Sequence, residues 1–229
     1  AGVNHNGDIQ TAKKMVEAAA KSGADAVKFQ TFKAENLVTQ NVSKANYQQN
    51  PADIDQTQYG MLKRLELNDD MHKTLITHCK KNNILFLSSP FDVEGVAYLN
   101  QLDMPLFKIP SGEITNLPFL KKIGACNKPI IISTGMARLS EIRDAVDVLV
   151  SSGADLKTIT ILHCNTEYPT PMQDVNLLAM KTIESTFPDC RVGYSDHTTG
   201  VEIAIAAAAL GARVIEKHFT LDKTWDGPD

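Results

Sequence analysis

Short apolar runs with the character of β-strands recur along the 229-residue chain, and helical patterns separate most of them. The clearest helical pattern covers residues 9–22 and stops at Gly23. A second covers residues 139–152, with Ser140 as its expected N-cap and Gly153 as its stop. Repeated strand–helix units predict a parallel sheet. The eight predicted strands are residues 1–3, 26–29, 84–87, 106–109, 130–132, 158–162, 191–194 and 213–215.

Eight such units favour a closed (β/α)8 barrel, the TIM-barrel class of α/β folds. Polar residues follow the predicted strands, and this is where barrels of this class place their active sites. A doubly wound open sheet is the alternative, but no GxGxxG turn follows the first strand. We therefore expect residues 1–229 to form one TIM-barrel catalytic domain.

Composition limits what the chain can bind. An apolar content of 43% is enough for one sizeable core, and the net charge of −4 comes without a run of Lys or Arg. An extended nucleic-acid surface is therefore not expected. No apolar run approaches the ~20 residues that span a bilayer, and no signal peptide is visible. The four cysteines are widely spaced without a CxxC motif, which predicts reduced thiols in a cytoplasmic protein.

Two stretches depart from the regular pattern. The chain starts without Met and stops at residues 227–229 without a closing helix, so we expect a fragment whose barrel is truncated at its C-terminal end. Residues 33–59 are polar, rich in Gln and Asn, and too long for an ordinary loop of about 2–6 residues. They form either a lid over the site or an exposed insertion.

Two histidines follow the last two predicted strands. Residues 191–194 lead into Ser195-Asp196-His197, and residues 213–215 lead into Glu216-Lys217-His218. The mainly apolar residues 198–211 between them are predicted to form a buried helix. Neighbouring parallel strands lie ~5 Å apart, so His197 and His218 could share one divalent cation. Two packed histidines without a metal are the alternative.

Two lysines lie inside apolar strands, where an unpaired ammonium group is costly. Lys28 and Lys108 could point outward and find a carboxylate or a path to solvent, or point into the barrel mouth and meet an anion. With serines and glycine turns at other strand ends, they would form a cradle for phosphate and carboxylate groups. Lys28 could instead be a structural or Schiff-base lysine. The cradle residues are Ser89, Ser111, Ser133, Gly112 and Gly135.

Glu113 and Glu216 are the candidate acid–base carboxylates. Glu216 shares one side of its strand with His218 because side chains alternate along a strand, and Glu113 could instead orient Lys108. His5 is either a substrate contact or a packed residue. The remaining His and Cys residues are not expected to react. His72 and His78 are predicted to lie on a helix surface, His163 is predicted to lie behind the site, and Cys164 has no activating base nearby in the sequence.

These residues resemble the N-terminal barrel of the sialic acid synthases, a family that includes neuraminate, legionaminate and pseudaminate synthases and related spore-coat polysaccharide proteins. The resemblance covers essentially the whole chain. The motifs that carry it are Asn4-His5-Asn6-Gly7, Lys28-Phe29-Gln30-Thr31, Ser89-Pro90-Phe91, Lys108-Ile109-Pro110-Ser111-Gly112-Glu113, Ser133-Thr134-Gly135-Met136, Tyr168-Pro169-Thr170-Pro171, Ser195-Asp196-His197-Thr198, Glu216-Lys217-His218-Phe219 and Gly227-Pro228-Asp229.

The resemblance implies a metal-dependent condensation of phosphoenolpyruvate with an N-acylated mannosamine-type sugar. The alternatives are another phosphoenolpyruvate–aldose condensing synthase, of the 3-deoxy-octulosonate or 3-deoxy-heptulosonate kind, and a non-catalytic sugar-phosphate-binding homologue. His197 and His218 would hold Mn2+, or Mg2+ or Co2+ in its place, as a Lewis acid. Family members carry a further C-terminal antifreeze-like domain and form domain-swapped homodimers. The residues implied to bind phosphoenolpyruvate are Lys28, Ser89, Lys108, Ser111, Ser133 and Ser195. Those implied to face the sugar or water are Gln30, Tyr168, Glu216 and Asp229. Among all of these, Glu216, Lys108 and Lys28 are the predicted catalytic residues.

Two departures from the neuraminate-type pattern bear on the acceptor sugar. Asn6 stands where that pattern has Glu, and Asn6 with Gly7 is closer to the legionaminate type. The sixth predicted strand ends in Cys-Asn-Thr instead of Cys-Thr-Asn, so either Asn165 or Thr166 contacts the ligand. We expect a 2,4-diacetamido-2,4,6-trideoxymannose acceptor.

Overall fold

The computed structural model describes residues 1–44 and 57–225. They group into two compact units, Ala1–Gly95 with the segment that begins at Phe219, and Val96–His218. The helices are α1 (Ile9–Lys21), α2 (Ala34–Leu37), α3 (Gln58–Leu65), α4 (Asp69–Lys81), α5 (Val93–Gln101), α6 (Leu117–Gly124), α7 (Leu139–Ser151), α8 (Ala179–Thr186) and α9 (Glu202–Ala209). The strands are β1 (Ala26–Thr31), β2 (Leu85–Pro90), β3 (Phe107–Ile109), β4 (Ile130–Ser133), β5 (Ile159–Cys164), β6 (Arg191–Asp196) and β7 (Ile215–Lys217).

In the first unit, β1 and β2 pair in parallel, with Gln30 opposite Ser89. The alternate residues Val27, Phe29 and Thr31 are buried, as expected for one face of a strand that packs on a core. Helices α1 and α4 contribute apolar faces to this unit, and each begins at a side-chain cap: Asp8 for α1 and Asn68 for α4.

The second unit contains a five-stranded parallel sheet in the order β3-β4-β5-β6-β7. Consecutive strands are neighbours, which is the arrangement that a barrel predicts. The core of this unit is made of β-branched and aromatic side chains of the strands together with apolar side chains of the helices. Fully buried examples are Phe107, Ile109, Phe119, Ile130, Ile132 and Leu149.

Seven of the eight predicted strands form as strands. The first does not: within residues 1–3, only Gly2 makes an isolated bridge, to Phe29. Gly2 has a positive φ of 54°, and the chain then turns, since the Asn4 N–H donates to the Ala1 carbonyl and the Asn6 N–H donates to the Val3 carbonyl. This early turn ends the strand before a ladder can form.

Two other expectations need correction, and a third stays open. Helix α9 is mostly exposed instead of buried: Ala207 is fully buried, but Ile205 is 64% exposed. Helix α7 begins at Leu139, and the Glu141 carboxylate, not Ser140, accepts a hydrogen bond from the Arg138 N–H at its start. The polar stretch 33–59 contains α2 and the start of α3, while its residues 45–56 lie outside the described part of the chain.

His72 is also placed differently from the surface position predicted for it. It shares the buried face of α4 with Leu75 and Cys79, three and seven residues further on. Its Nε2 lies 2.8 Å from the Thr31 hydroxyl and its Nδ1 lies 2.9 Å from the Asn68 carbonyl oxygen. By contrast, His78 is partly exposed on α4, which agrees with its predicted surface position, and its Nε2 lies 2.9 Å from a carboxylate oxygen of the exposed Glu17.

All four cysteines are free thiols, as predicted. Burial raises the pKa of the Cys79 thiol to about 12, so that thiol is protonated at neutral pH. Across the residues described, none of the helices combines the length and the apolar character that crossing a bilayer requires.

Candidate active site

The strands of the five-stranded sheet bring four predicted site residues to one face. In the register of the sheet, Ser195 pairs with Glu216 and with Cys164, and Ser133 pairs with Leu162. Lys108 pairs with Ile131, two residues before Ser133. Side chains of residues that pair across neighbouring strands lie on the same face of the sheet, and so do side chains two residues apart on one strand. One face of the sheet therefore carries Lys108, Ser133, Ser195 and Glu216.

Lys108 is the buried cation of this cluster, with only 3% of its surface exposed. Its ammonium group donates to the Ser133 hydroxyl at 2.6 Å and to the Ile109 carbonyl at 3.1 Å. The Glu216 carboxylate lies 3.4 Å away and also accepts a hydrogen bond of 2.9 Å from the Ser195 hydroxyl. Lys108 therefore points to the polar face rather than outward among the helices, and its charge is partly balanced there.

Ser111 follows β3 and connects it to the loop after β4. Its hydroxyl accepts a hydrogen bond of 2.9 Å from the Gly135 N–H and lies 3.3 Å from the Cys164 sulfur. A Cβ at Gly135 would come within 2.5 Å of the Thr166 methyl carbon and 2.9 Å of the Ser111 hydroxyl. Thus Ser111, Gly135, Cys164 and Thr166 come together at the carboxyl ends of three strands.

The structure separates the roles of Asn165 and Thr166. The Thr166 side chain approaches Gly135, whose N–H donates to Ser111. The Asn165 side chain donates to the Asp174 carbonyl at 2.8 Å, away from that contact, and its amide oxygen is buried with no hydrogen-bond partner among residues 1–44 and 57–225. The main-chain carbonyl of Asn165 accepts a hydrogen bond from Nδ1 of His197.

His197, His218 and Tyr168 form an aromatic cluster at the ends of β6 and β7. The two imidazole centroids are 5.6 Å apart, and the Tyr168 ring lies 4.2 Å from His197 and 5.9 Å from His218. Because a carbonyl can only accept, Nδ1 of His197 carries the proton and Nε2 is left as an acceptor. Burial is the main cause that lowers the pKa of His197, which favours the neutral imidazole that binds metals.

Other predicted residues have structural roles. Glu113 accepts a hydrogen bond of 2.6 Å from Asn116, the N-cap of α6, so it does not orient Lys108 as suggested. His163 lies behind the site face, where its Nε2 is 2.9 Å from the Val175 carbonyl oxygen. Within the described ranges, no group of three or more His, Cys, Asp or Glu side chains is placed to hold a metal.

The first unit holds the other predicted residues. Lys28 and Gln30 share the half-buried face of β1. The hydroxyl of Ser89, opposite Gln30, is buried and finds no hydrogen-bond partner in the part of the chain that the structure describes. Asn6 is exposed with a positive φ of 50°. Asp229 lies outside the described residues.

His5 is packed rather than exposed. It is fully buried, and its Nδ1 accepts a hydrogen bond of 3.0 Å from the Gly7 N–H. Its ring contacts Phe29, with the centroids 5.9 Å apart. Burial is the largest cause that lowers its pKa to about 4, so the imidazole is neutral at physiological pH.

Sequence reasoning passed over three residues that shape the site. Asp196 and Lys217 form an ion pair of 2.7 Å between β6 and β7. Gly193 lets β7 approach β6, because a Cβ there would clash with the Val214 carbonyl oxygen. Side chains alternate between the two faces of a strand. Asp196 and Lys217 stand next to residues predicted to lie on the site face, so alternation along β6 and β7 places both of them on the opposite face.

Comparison with known proteins adds an independent result. A sequence model of the NeuB family matches residues 15–229. The chain is 58% identical over its whole length to the N,N'-diacetyllegionaminic acid synthase of Campylobacter jejuni, and it covers 68% of that protein. It is 50% identical to the enzyme of the same name from Legionella pneumophila, of which it covers 65%. It thus spans about two thirds of the length of these curated relatives.

A solved structure agrees with the sequence comparison. The N-acetylneuraminic acid synthetase of Leptospira borgpetersenii, determined in complex with citrate, matches all of this chain and 74% of its own, with a TM-score of 0.88 and 33% identity. The predicted α/β fold of the (β/α)8-barrel class is confirmed by this match and by the parallel strand order.

Proposed function

The chain belongs to the NeuB family, and from that premise we propose that the protein is a nonulosonate synthase. It would join phosphoenolpyruvate to an N-acylated mannosamine-type sugar and release phosphate. The relatives at 58% and 50% identity are named as acid synthases, which agrees with the predicted enzyme class. The substrates and the steps below are our proposal for this protein.

One observation carries the proposal: a buried ammonium group lies beside a carboxylate, hydroxyl groups and a pair of imidazoles at one edge of a sheet. Lys108 is 3% exposed and is held by Ser133 and Glu216. A buried cation is costly without anionic partners, and the Glu216 carboxylate lies 3.4 Å from this one. A buried ammonium group among hydroxyl donors is suited to bind an anionic substrate such as phosphoenolpyruvate.

The remaining groups of this face are donors suited to phosphate or carboxylate oxygens. The hydroxyls of Ser111, Ser133 and Ser195 lie at the ends of β3, β4 and β6, and the Gly135 N–H donates to Ser111. Lys28, Gln30 and Ser89 of the first unit stay predicted ligands of phosphoenolpyruvate or the sugar. The Ser89 hydroxyl is buried and has no hydrogen-bond partner among the described residues, which supports a ligand role for it.

The proposed reaction forms one carbon–carbon bond and, from water, one carbon–oxygen bond at C2, and it breaks the carbon–oxygen bond between C2 and the phosphate. C3 of phosphoenolpyruvate attacks the aldehyde carbon of the sugar, and the aldehyde oxygen takes up a proton to become a hydroxyl. Water then adds to C2 and gives up a proton, and cleavage of the bond between C2 and the phosphate oxygen leaves a ketone and free phosphate.

Glu216 is the residue best placed to manage these protons. Its carboxylate is held by Ser195 and Lys108 and shares the strand side that leads to His218. It would accept the proton of the attacking water, as a general base within reach of the site face. Lys108 would hold the anionic substrate and stabilise the charge on the leaving phosphate. Tyr168, half exposed beside the imidazoles, would face the sugar.

The imidazole pair fits a divalent cation. His197 has its Nδ1 directed to a carbonyl, which orients the ring and leaves Nε2 available, as is usual for metal-binding histidines. Two protein ligands leave positions for water or substrate oxygen atoms. His197 and His218 would hold the ion, for which we propose Mn2+, and Mg2+ or Co2+ could replace it. When bound, the ion would polarise the carbonyl oxygen of the sugar as a Lewis acid.

The acceptor that we propose is 2,4-diacetamido-2,4,6-trideoxymannose. Asn6, in place of a carboxylate, supported this choice from the sequence, and the two relatives named above are N,N'-diacetyllegionaminic acid synthases. We further propose that the protein acts in the cytoplasm as a homodimer, as the resemblance implies, with Asn6, Asp229 and Thr166 among the residues that meet the sugar or phosphoenolpyruvate.

A phosphate-release assay on the intact protein tests this function. The assay contains Mn2+ and phosphoenolpyruvate, with the diacetamido sugar in one sample and N-acetylmannosamine in another. We expect release that requires both metal and sugar and is faster with the diacetamido sugar. Lys108→Met should lower the rate at least about 100-fold because it removes a charge that stabilises the transition state.

A matched control comes from the same unit. Lys128→Met removes an ammonium group that bridges Asp103 at 2.9 Å and the Met104 carbonyl at 2.8 Å, outside the site, and it should keep the wild-type rate. No phosphate release with either sugar would contradict the proposed function. Faster turnover of N-acetylmannosamine would contradict only the choice of acceptor.

A further inference from the structure

On the face of the sheet opposite the site face, β6 and β7 are linked by hydrogen bonds among three residues, Asp196, Thr198 and Lys217. Asp196 is 1% exposed, and its Oδ2 accepts a hydrogen bond of 2.7 Å from the Lys217 ammonium group. The same ammonium donates to the Thr198 carbonyl, also at 2.7 Å. The other carboxylate oxygen, Oδ1, accepts from the N–H of Thr198 at 2.9 Å and from its hydroxyl at 2.7 Å.

The residues that make these contacts are neighbours of the two histidines along the chain. Asp196 and Thr198 flank His197, and Lys217 directly precedes His218. In the sheet, Asp196 pairs with Lys217 and Ser195 pairs with Glu216, so the pair fixes which residue of β7 stands beside which residue of β6. A slip of one residue would turn Glu216 and His218 to the other face.

We infer that Asp196 and Lys217 are positioning residues that set the register of β6 and β7 and the direction of the chain at both histidines. This inference rests on the proposed function for the role of the histidines, but the register contacts stand without it. Neither side chain would touch substrate or metal. Each acts through the backbone of a neighbour, as outer residues of metal sites commonly do.

The contacts are suited to this role because they are mostly buried. An ion pair on an exposed surface adds little, whereas the Asp196 side chain is fully buried and Lys217 is 29% exposed. In the described part of the chain, the side-chain hydrogen bonds of Asp196 go to Thr198 and Lys217, each of which adjoins a histidine. Removing Lys217 therefore leaves a buried carboxylate without its cation and frees the Thr198 carbonyl.

The test uses two readouts on the folded, intact protein: Mn2+ affinity, measured by titration with electron paramagnetic resonance, and amide hydrogen exchange of residues 215–218. Lys217→Met should weaken Mn2+ binding by about 10–100-fold, the usual effect of removing an outer partner of a metal ligand. It should also speed exchange at 215–218. Lys217→Arg, which keeps a cation and several donors, should stay near wild type in both readouts.

Two further variants separate positioning from general destabilisation. The double variant Asp196→Asn/Lys217→Met has no unpaired buried carboxylate. It should therefore be thermally more stable than Lys217→Met alone but should still bind Mn2+ weakly. Lys128→Met breaks a lysine bridge of the same chemistry, to a carboxylate and a carbonyl, away from β6 and β7, and should change neither readout.

Wild-type Mn2+ affinity or wild-type exchange in folded Lys217→Met protein would overturn the inference. If the wild-type protein binds no Mn2+ at all, the metal part of the proposed function fails. In that case, amide exchange at residues 215–218 by itself tests whether the pair sets the strand register. Faster exchange in Lys217→Met supports the register role, and unchanged exchange overturns it.

Discussion

At the scale of single residues, Gly135 shows how tightly the loop after β4 fits against neighbouring loops. Its N–H donates to the Ser111 hydroxyl, and there is no room for a side chain, because a Cβ would approach the Thr166 methyl carbon, the Ser111 hydroxyl and the Cys164 sulfur. Glycine is required here because neighbouring side chains come too close to leave room for a Cβ, and not because of its conformational freedom. The donors of the proposed anion site depend on this fit.

A substitution at Gly135 can be paired with one that relieves its clash. Gly135→Ala should destabilise the protein by about 1–3 kcal/mol through overpacking and raise the KM for phosphoenolpyruvate, because Ser111 must move. Adding Thr166→Ser removes the methyl group that lies 2.5 Å from the new Cβ and should restore part of the stability. Urea unfolding and steady-state kinetics measure both effects. A double variant no more stable than Gly135→Ala would contradict this explanation.

At the scale of secondary-structure elements, the contact between β6 and β7 decides whether the two histidines meet. The strands are joined by hydrogen bonds such as that of 2.9 Å from the Tyr194 N–H to the Val214 carbonyl. Gly193, on β6, lies against that same carbonyl oxygen and against the Leu162 side chain. A residue with a side chain at this position would push β7 away from β6.

Gly193→Ala should therefore be more damaging than an ordinary alanine substitution. The new Cβ would meet a backbone oxygen, which cannot rotate away, so we expect a loss of about 3 kcal/mol together with weaker Mn2+ binding. Gly112→Ala is the matched control for stability, since no heavy atom lies within 4 Å of its added Cβ, and it should change stability by less than about 0.5 kcal/mol. Equal losses in the two variants, measured by urea unfolding, would contradict the argument.

At the scale of the whole molecule, several imidazoles are buried in the neutral form. Burial is the main cause that lowers the pKa of His5, His72 and His163, to about 4 in the case of His5. In the unfolded chain these groups titrate near pH 6.5. Between the two values the unfolded state binds more protons than the folded state, so the free energy of unfolding decreases as the pH falls.

This predicts a loss of stability between pH 6.5 and about 4, with full stability above pH 6.5. For His5 alone the pKa difference corresponds to at most about 3 kcal/mol. His5→Asn keeps an acceptor for the Gly7 N–H but cannot be protonated, so its unfolding free energy should depend less on pH over this range. Urea unfolding at pH 7.5, 5.5 and 4.5 measures the slopes. Equal slopes in the wild type and the variant would show that His5 does not titrate in this way.

Much of this protein could be predicted from its sequence. Seven strands and the helices α1 and α7 follow from apolar periodicity, because burial of one face imposes a spacing that the sequence must display. Lys108, Ser133, Ser195, Glu216, His197 and His218 could be placed at strand ends, since alternation and parallel pairing are short-range rules. The family also followed from motifs that are continuous in the chain, and its comparison with known proteins confirmed it.

Only the tertiary structure decided how those residues contact one another. That Thr166 approaches Gly135, that Glu113 accepts a hydrogen bond from the N-cap residue of α6, that His72 is buried and that Ile205 of α9 is exposed all depend on which elements pack together. The Asp196–Lys217 pair and the space at Gly193 likewise require the distance between two strands. A sequence determines local periodicity because neighbours in the chain share one backbone, but side-chain contacts between distant residues are set by packing in three dimensions.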